Sequence, residues 1–127
     1  MFQLPNLPYD YNAMEPYIDE QTMQIHHDKH HATYVKNLND ALVGHDDLLS
    51  MDIDDLVRNL SKVPQELRTK VRNNGGGHSN HSIFWTIMSA NGDKEPKGHL
   101  AGAITKTFGS FTAFQEKFTQ AALDSPI

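Results

Sequence analysis

Four histidines (His26, His27, His30 and His31) fall within six consecutive positions, inside a stretch whose apolar residues recur at helical spacing. No other feature narrows the fold as much. A helix turns about 100° per residue, so a step of four returns within about 40° of its start. His26, His30 and Tyr34 therefore share one stripe, which Met23 and Leu38 extend at both ends. That stripe is the side such a helix is expected to bury, and it rotates His27 and His31 about 100° away, toward solvent or a partner. A buried imidazole needs a partner for each ring nitrogen, because an unsatisfied buried polar group costs about 1–3 kcal/mol. A bound metal can satisfy one nitrogen and an acceptor behind the ring the other. Ordinary hydrogen bonding within a core is the competing reading, and the residues alone leave both open.

The histidine helix is expected to start at Asp19 as N-cap and to run to about Val43, with Gly44 as its stop; Met23, Val35, Leu38 and Leu42 mark its buried side. Before it, Pro5, Pro8 and Pro16 break regularity over residues 1–18, which read as an extended arm anchored by Leu4, Leu7, Tyr9 and Tyr11. After it, Asp52 with Asp55 three positions on predicts a capped short helix from Ile53 to Leu60. Pro64 suits the first turn of a further helix ending near Asn73-Asn74, where Gly75-Gly76-Gly77 interrupts or kinks the chain. Helical spacing resumes in His81, Phe84, Trp85 and Met88. Asn91-Gly92-Asp93 and Pro96 form a loop. Leu100, Ile104 and Phe108 repeat every four residues, and Ser110 can cap a last helix with Phe111, Phe114 and Phe118 on one face. Nothing reads as a strand. The chain is mainly α, and segments 20–43 and 64–89 are long enough to pack as an antiparallel hairpin.

Composition limits the chemistry. The 127 residues contain no cysteine, which excludes disulfides, thiolate-bound metal, thiol catalysis and iron–sulfur clusters. Histidine and carboxylate remain as metal ligands. With 38% hydrophobic and 21% charged residues the chain is too apolar for disorder, and no run approaches the ~20 apolar residues of a membrane span. The start has no basic flank followed by an apolar core, so no secretory signal is expected, and the cytoplasm is the favoured compartment. The net charge of −5 is uneven: residues 1–55 hold 11 acids against Lys29 and Lys36, whereas residues 56–127 are net basic. No basic stripe with interleaved aromatics occurs, so neither nucleic acid nor membrane is expected as a partner.

His81 leads the stripe His81, Phe84, Trp85, Met88, which sets an imidazole among bulky apolar groups. If the two long helices pack together, His26 and His81 can face each other across the seam. A metal usually takes three or four protein ligands, and no acid in the chain is an obvious third; the Asp46–Asp55 run reads as a solvated face and cap. His27-Asp28 matches the His-Asp dipeptide of helical metal-dependent phosphohydrolases, over two residues only. Gly75-Gly76-Gly77 lacks a following Lys-Ser/Thr, so it is no phosphate loop; close helix packing is its plainer alternative to a break.

Three separated segments resemble the iron/manganese superoxide dismutases: Leu4-Pro5-Asn6-Leu7-Pro8-Tyr9, then Ile25-His26-His27-Asp28-Lys29-His30-His31-Ala32-Thr33-Tyr34-Val35, then Arg72-Asn73-Asn74-Gly75-Gly76-Gly77-His78-Ser79-Asn80-His81-Ser82-Ile83-Phe84-Trp85. Phe108-Gly109-Ser110-Phe111 also fits, and the resemblance covers residues 1 to about 122. It implies an arm and helical-hairpin domain over 1–90, followed at 91–127 by a linker and the first helices of an incomplete α/β C-terminal domain. It implies His26 and His81 as metal ligands. His30 and Tyr34 would stand beside them at the substrate funnel, as the catalytic pair, with His30 also reaching toward a dimer partner. Trp85, Phe84 and Phe118 would wall the site. One manganese ion per subunit is implied, with iron as the alternative; the Gly75–His78 stretch resembles the manganese-type enzymes more. The implied reaction converts superoxide to oxygen and hydrogen peroxide in a homodimer.

The chain departs from that pattern after Ala121-Ala122. Two further ligands of the family, an Asp and a His from an Asp-x-Trp-x-His motif, have no counterpart here, and Leu123-Asp124-Ser125-Pro126-Ile127 resembles a turn deeper in the second domain. A partial record of a longer protein, a truncated product and a second chain supplying the other half are the competing explanations. The chain alone is expected to be insufficient for dismutation. The other function classes are a non-catalytic helical module that self-associates through its uncovered hairpin face, and the His-Asp phosphohydrolase.

Overall fold

In the computed structural model, which describes residues 1–125, the histidine helix starts where its cap predicts. The Asp19 carboxylate accepts the Thr22 amide at 2.7 Å and opens α1 (Glu20–Ile25). The helix continues through a π-helical turn, His26–His31, into α2 (Ala32–Ala41). Gly44, at φ 85°, turns the chain away just past the end.

The π turn changes which histidines face inward. The buried stripe runs Met23, His27, His31, Val35, Leu38 and Leu42, whereas regular helical phase put His26 and His30 on it and His27 and His31 outside. In a regular helix, steps of four drift by about 40° each, about 120° from position 23 to 35. A turn closed by i→i+5 bonds holds more residues, so the drift is absorbed and positions 23, 27, 31 and 35 stay in line. His26 and Tyr34 move to the half-buried flank and His30 is exposed.

Two short helices follow, α3 (Asp46–Leu49) and α4 (Ile53–Arg58). Asp52 caps α4, accepting from the amides of Asp54 at 2.8 Å and Asp55 at 3.3 Å. The helix expected to reach Leu60 ends at Arg58, and Leu60–Lys62 tightens into a 3₁₀ turn. Pro64 lies in the turn ahead of α5 (Arg68–Ile87), its carbonyl accepting the Leu67 amide.

α5 runs unbroken through Gly75-Gly76-Gly77, where a break or kink was expected. Two of these glycines admit a close neighbour. A Cβ on Gly75 would lie 3.1 Å from Val57 Cγ1, and one on Gly77 only 2.5 Å from Tyr34 Cδ1. Each glycine costs a helix about 0.5–1 kcal/mol relative to alanine, which close packing along the seam offsets. The pairing order His26 with Trp85, His31 with His78 and Leu38 with Gly75 rises on one helix as it falls on the other, so the two helices form an antiparallel hairpin.

Two apolar clusters flank the histidines. One contains buried Leu38, Leu42, Leu56, Val63 and Val71, with Phe2 of the arm packed on it. The other contains Met14, Met23 and Trp85, with Leu7, Tyr9 and Tyr11 of the arm against it. The arm is also tied by polar groups: Phe2 and the Asn39 side chain exchange two hydrogen bonds of 2.9 Å, and the Tyr9 hydroxyl donates to the Trp85 carbonyl at 2.7 Å.

The chain divides into two compact units, Met1–Ala90 and Asn91–Ile127. The second contains α6 (Gly98–Phe108) and α7 (Phe111–Asp124). Gly109, at φ 88°, ends α6, and Ser110 caps α7 by accepting the Ala113 amide at 3.0 Å. Phe114 meets both Phe108 and Phe118, with ring centroids 5.2 and 5.8 Å apart. Ser110→Ala is expected to cost this unit about 1 kcal/mol, read as lost helicity in far-ultraviolet circular dichroism. No strand occurs among the described residues, and no helix among them is long and apolar enough to cross a membrane. Pro126 and Ile127, and with them the end of the turn read at Leu123–Ile127, lie outside the described residues.

Candidate functional site

His26 and His81, 55 positions apart, point their Nε2 atoms at each other across 2.9 Å. The His81 ring is oriented from behind. Its Nδ1 lies 2.7 Å from the Gly77 carbonyl, one helical turn back. A carbonyl only accepts, so Nδ1 carries the proton and Nε2 presents its lone pair. Across the 2.9 Å gap, His26 Nε2–H is then the donor; with its proton on Nδ1 instead, the same ring presents a second lone pair to the same point. A nitrogen bound to such an ion lies about 2.1 Å from it, so two nitrogens sharing one ion stand no more than about 4 Å apart. The pair therefore fits two ligands of one ion, with the carbonyl support behind His81 that metal-binding histidines usually have. Burial foremost, and then the neighbouring His81 and His30 rings, lower the His26 pKa, which favours the neutral form that ligation requires.

Tyr34 and His30 complete the opening. Thr22, Ile25, His26, His30, Tyr34 and His81 line one cleft of about 450 Å³. The Tyr34 ring lies against His81, centroids 5.3 Å apart, and is seated on the bare backbone of Gly77. His30 meets His26 at 6.0 Å. Trp85, 1% exposed, and Phe84 close the other side of His26 at 4.9 and 5.5 Å. Of the residues singled out from sequence, His26, His30, Tyr34, His81, Phe84 and Trp85 are thus brought together. Phe118 belongs to the second unit, on α7 beside Phe114 and 64% exposed. Among the described residues, no group of three or more His, Cys, Asp or Glu side chains is placed to hold a metal ion.

Behind this cleft lies a buried set that helical phase had turned outward. His31 has no exposure. Its Nδ1 accepts the Trp85 indole N–H at 2.9 Å, and its Nε2 lies 2.7 Å from His78 Nδ1. Burial foremost, then the His78, His81 and His27 rings, lower the His31 pKa from 6.5 to about 3. The same burial lowers His78. Met23, His27, His31 and Val35 also recur every four residues, so the signal was present in the sequence; regular helical phase favoured the other register.

His27-Asp28 has a different role from the phosphohydrolase reading. His27 Nε2 donates to the Pro5 carbonyl at 2.7 Å, and its Nδ1 lies 2.7 Å from Asp28 Oδ1. That same oxygen accepts the Tyr11 hydroxyl at 2.7 Å. These bonds, with His27 first and Tyr11 next, lower the Asp28 pKa. The dipeptide fastens the N-terminal arm to the helix, with both imidazole nitrogens engaged.

Residues 1–89 match the alpha-hairpin domain of the iron/manganese superoxide dismutases. The manganese superoxide dismutase 1 of Leptolyngbya boryana is 55% identical over 122 residues, which cover 96% of this chain and 49% of that protein. The manganese superoxide dismutase of Listeria monocytogenes is 52% identical over 121 residues, covering 95% of this chain and 60% of that protein. That of Thermus thermophilus is 52% identical over 122 residues, covering 96% and 60%. The chain thus spans about half to three fifths of the length of these relatives. With the hairpin, the paired imidazoles and these likenesses in hand, the chain belongs to the iron/manganese superoxide dismutase family.

Proposed function

We propose that this chain supplies half of the metal site of a superoxide dismutase, with His26 and His81 as two ligands of one manganese ion per subunit and iron as the alternative. The observation that carries the reading is the convergence of the two Nε2 atoms at 2.9 Å, with His81 held by the Gly77 carbonyl. The chemistry such an ion supplies when bound is one-electron cycling, in which one superoxide is oxidised to oxygen and a second, with two protons, is reduced to hydrogen peroxide.

The protein's own residues shape access and proton supply. The phenol of Tyr34 stands in the cleft beside His81, where it can donate a proton or hydrogen bond to a bound small oxyanion. His30, exposed at the same opening, offers an imidazole within reach of solvent. Trp85 and Phe84 exclude water from the far side of His26. The remaining ligands are an Asp and a His from an Asp-x-Trp-x-His motif that this chain lacks. His30 and exposed Ile83 and Ile87 favour a second copy as partner, and the cytoplasm is the proposed compartment. Self-association of a non-catalytic helical module through that same apolar face is the second reading.

The 127 residues alone are expected to hold manganese below one ion per chain and to remove superoxide negligibly. Extended by the C-terminal portion of the Listeria monocytogenes relative, the chain is expected to hold one ion per subunit and to dismutate superoxide. His26→Ala or His81→Ala in that extended chain should remove metal and activity together. Metal analysis with a stopped-flow superoxide assay checks this. Normal rates from the 127 residues alone would overturn the insufficiency of this chain, and full metal content in both variants would overturn the ligand assignment.

A further inference from the structure

A chain of polar contacts with a fixed direction lies directly behind the His26–His81 pair. The Trp85 indole nitrogen can only donate. Its N–H meets His31 Nδ1 at 2.9 Å, so that nitrogen must accept. The proton of the neutral His31 ring is then on Nε2, which lies 2.7 Å from His78 Nδ1 and donates to it. His78 in turn must carry its own proton on Nε2. One indole at the end of the chain thus dictates the tautomers of two buried imidazoles on opposite helices.

This set touches both rings of the pair. The His31 ring lies nearly parallel to that of His81, at 5.3 Å and 27°. The Trp85 ring meets His26 at 4.9 Å and 74°. His81 is therefore held by the Gly77 carbonyl at Nδ1, by Tyr34 on its ring and by His31 stacked against it. The carbonyl fixes where Nδ1 lies but leaves the ring free to roll about that bond; the stacked neighbour removes that freedom.

We propose that His31 is a positioning residue, its tautomer and ring plane set by Trp85, which keeps the His81 ring rolled so that its Nε2 faces His26. The inference rests on reading His26 and His81 as the metal-facing pair. Its test uses no metal, so failure here is separate from failure of the dismutase reading.

Long-range proton–nitrogen NMR on the ¹⁵N-labelled 127-residue chain reads each imidazole directly. The unaltered chain is expected to show a single Nε2–H tautomer for His31 and for His78, and Nδ1–H for His81. A proton on His31 Nδ1 would overturn the proposal with no variant needed. Trp85→Phe keeps an aromatic ring and removes the indole N–H together with the five-membered ring that carries it. It should convert His31 and His78 to mixed tautomers and shift or broaden the His81 nitrogens. His31→Gln offers an oxygen to the indole and an N–H to His78 without a ring. It should restore the single His78 tautomer while the His81 nitrogens still shift. A merely structural role would lower the thermal midpoint and leave the His81 nitrogens where they are. Unshifted His81 nitrogens in the folded His31→Gln chain would overturn the proposal.

Discussion

Acid is expected to destabilise the hairpin well above the pH at which its carboxylates titrate. The folded state holds His31 near pKa 3, against an ordinary 6.5, because burial penalises its charge. Between those values the unfolded chain binds a proton that the folded chain does not. Unfolding free energy therefore falls as pH drops below 6.5 and levels off near 3. One such proton corresponds to about 1.4 kcal/mol per pH unit, so His31 alone accounts for on the order of 5 kcal/mol across the whole window. His26 and His78 are lowered too and steepen the same limb. Asp19 and Asp28, held below their ordinary 3.8, lose their contribution only at lower pH, so the range from 4.5 to 6.5 isolates the histidines. The sole tryptophan, Trp85, sits against these rings and reports unfolding by fluorescence. Urea titrations at steps of pH should give a slope that drops by about one proton in His31→Gln. An unchanged slope would show that His31 is not the buried neutral group described above.

Gly77→Ala is expected to destabilise the chain by about 1–3 kcal/mol, although alanine is the better helix former. The reason is distance: the added methyl would sit 2.5 Å from Tyr34 Cδ1, 2.6 Å from Cγ and 2.7 Å from Cε1. These are ring atoms near the root of the side chain, so the whole phenol must leave its seat or α5 must move away from α2. Either change also disturbs His81, whose Nδ1 bonds to the carbonyl of that same Gly77. Gly76→Ala is the matched control. Nothing lies within 4 Å of a Cβ there, so the gain in helix propensity and the loss of unfolded-state entropy should stabilise by about 0.4–1 kcal/mol. Opposite signs at adjacent glycines, measured by chemical denaturation, are the expected result.

The two glycines illustrate where local sequence stops informing. Three in a row read as a break because a glycine run lacks helix propensity, and nothing local tells that Tyr34 and Val57 approach two of them. The caps were legible for the converse reason. Asp19, Asp52 and Ser110 each bond amides two or three residues on, so the whole interaction lies within one turn of sequence. The pairing of His26 with His81 was legible as far as each led an apolar stripe. The choice between His26/His30 and His27/His31 as the inward pair was not, because it depends on whether the helix keeps its α phase through six polar residues.

The spacing of apolar residues and the caps by themselves determined an α-helical chain with a long histidine-bearing helix facing a second one, and the absence of cysteine left imidazoles and carboxylates to carry any metal chemistry. Only the tertiary structure decided which imidazoles line the cleft and which lie behind it. Packing against Trp85, His78 and the arm carbonyl of Pro5 provides partners for His27 and His31, and those partners come from 22 to 54 positions away. A helix selects its buried face by where its polar atoms can be satisfied, and that depends on neighbours the local chain does not contain.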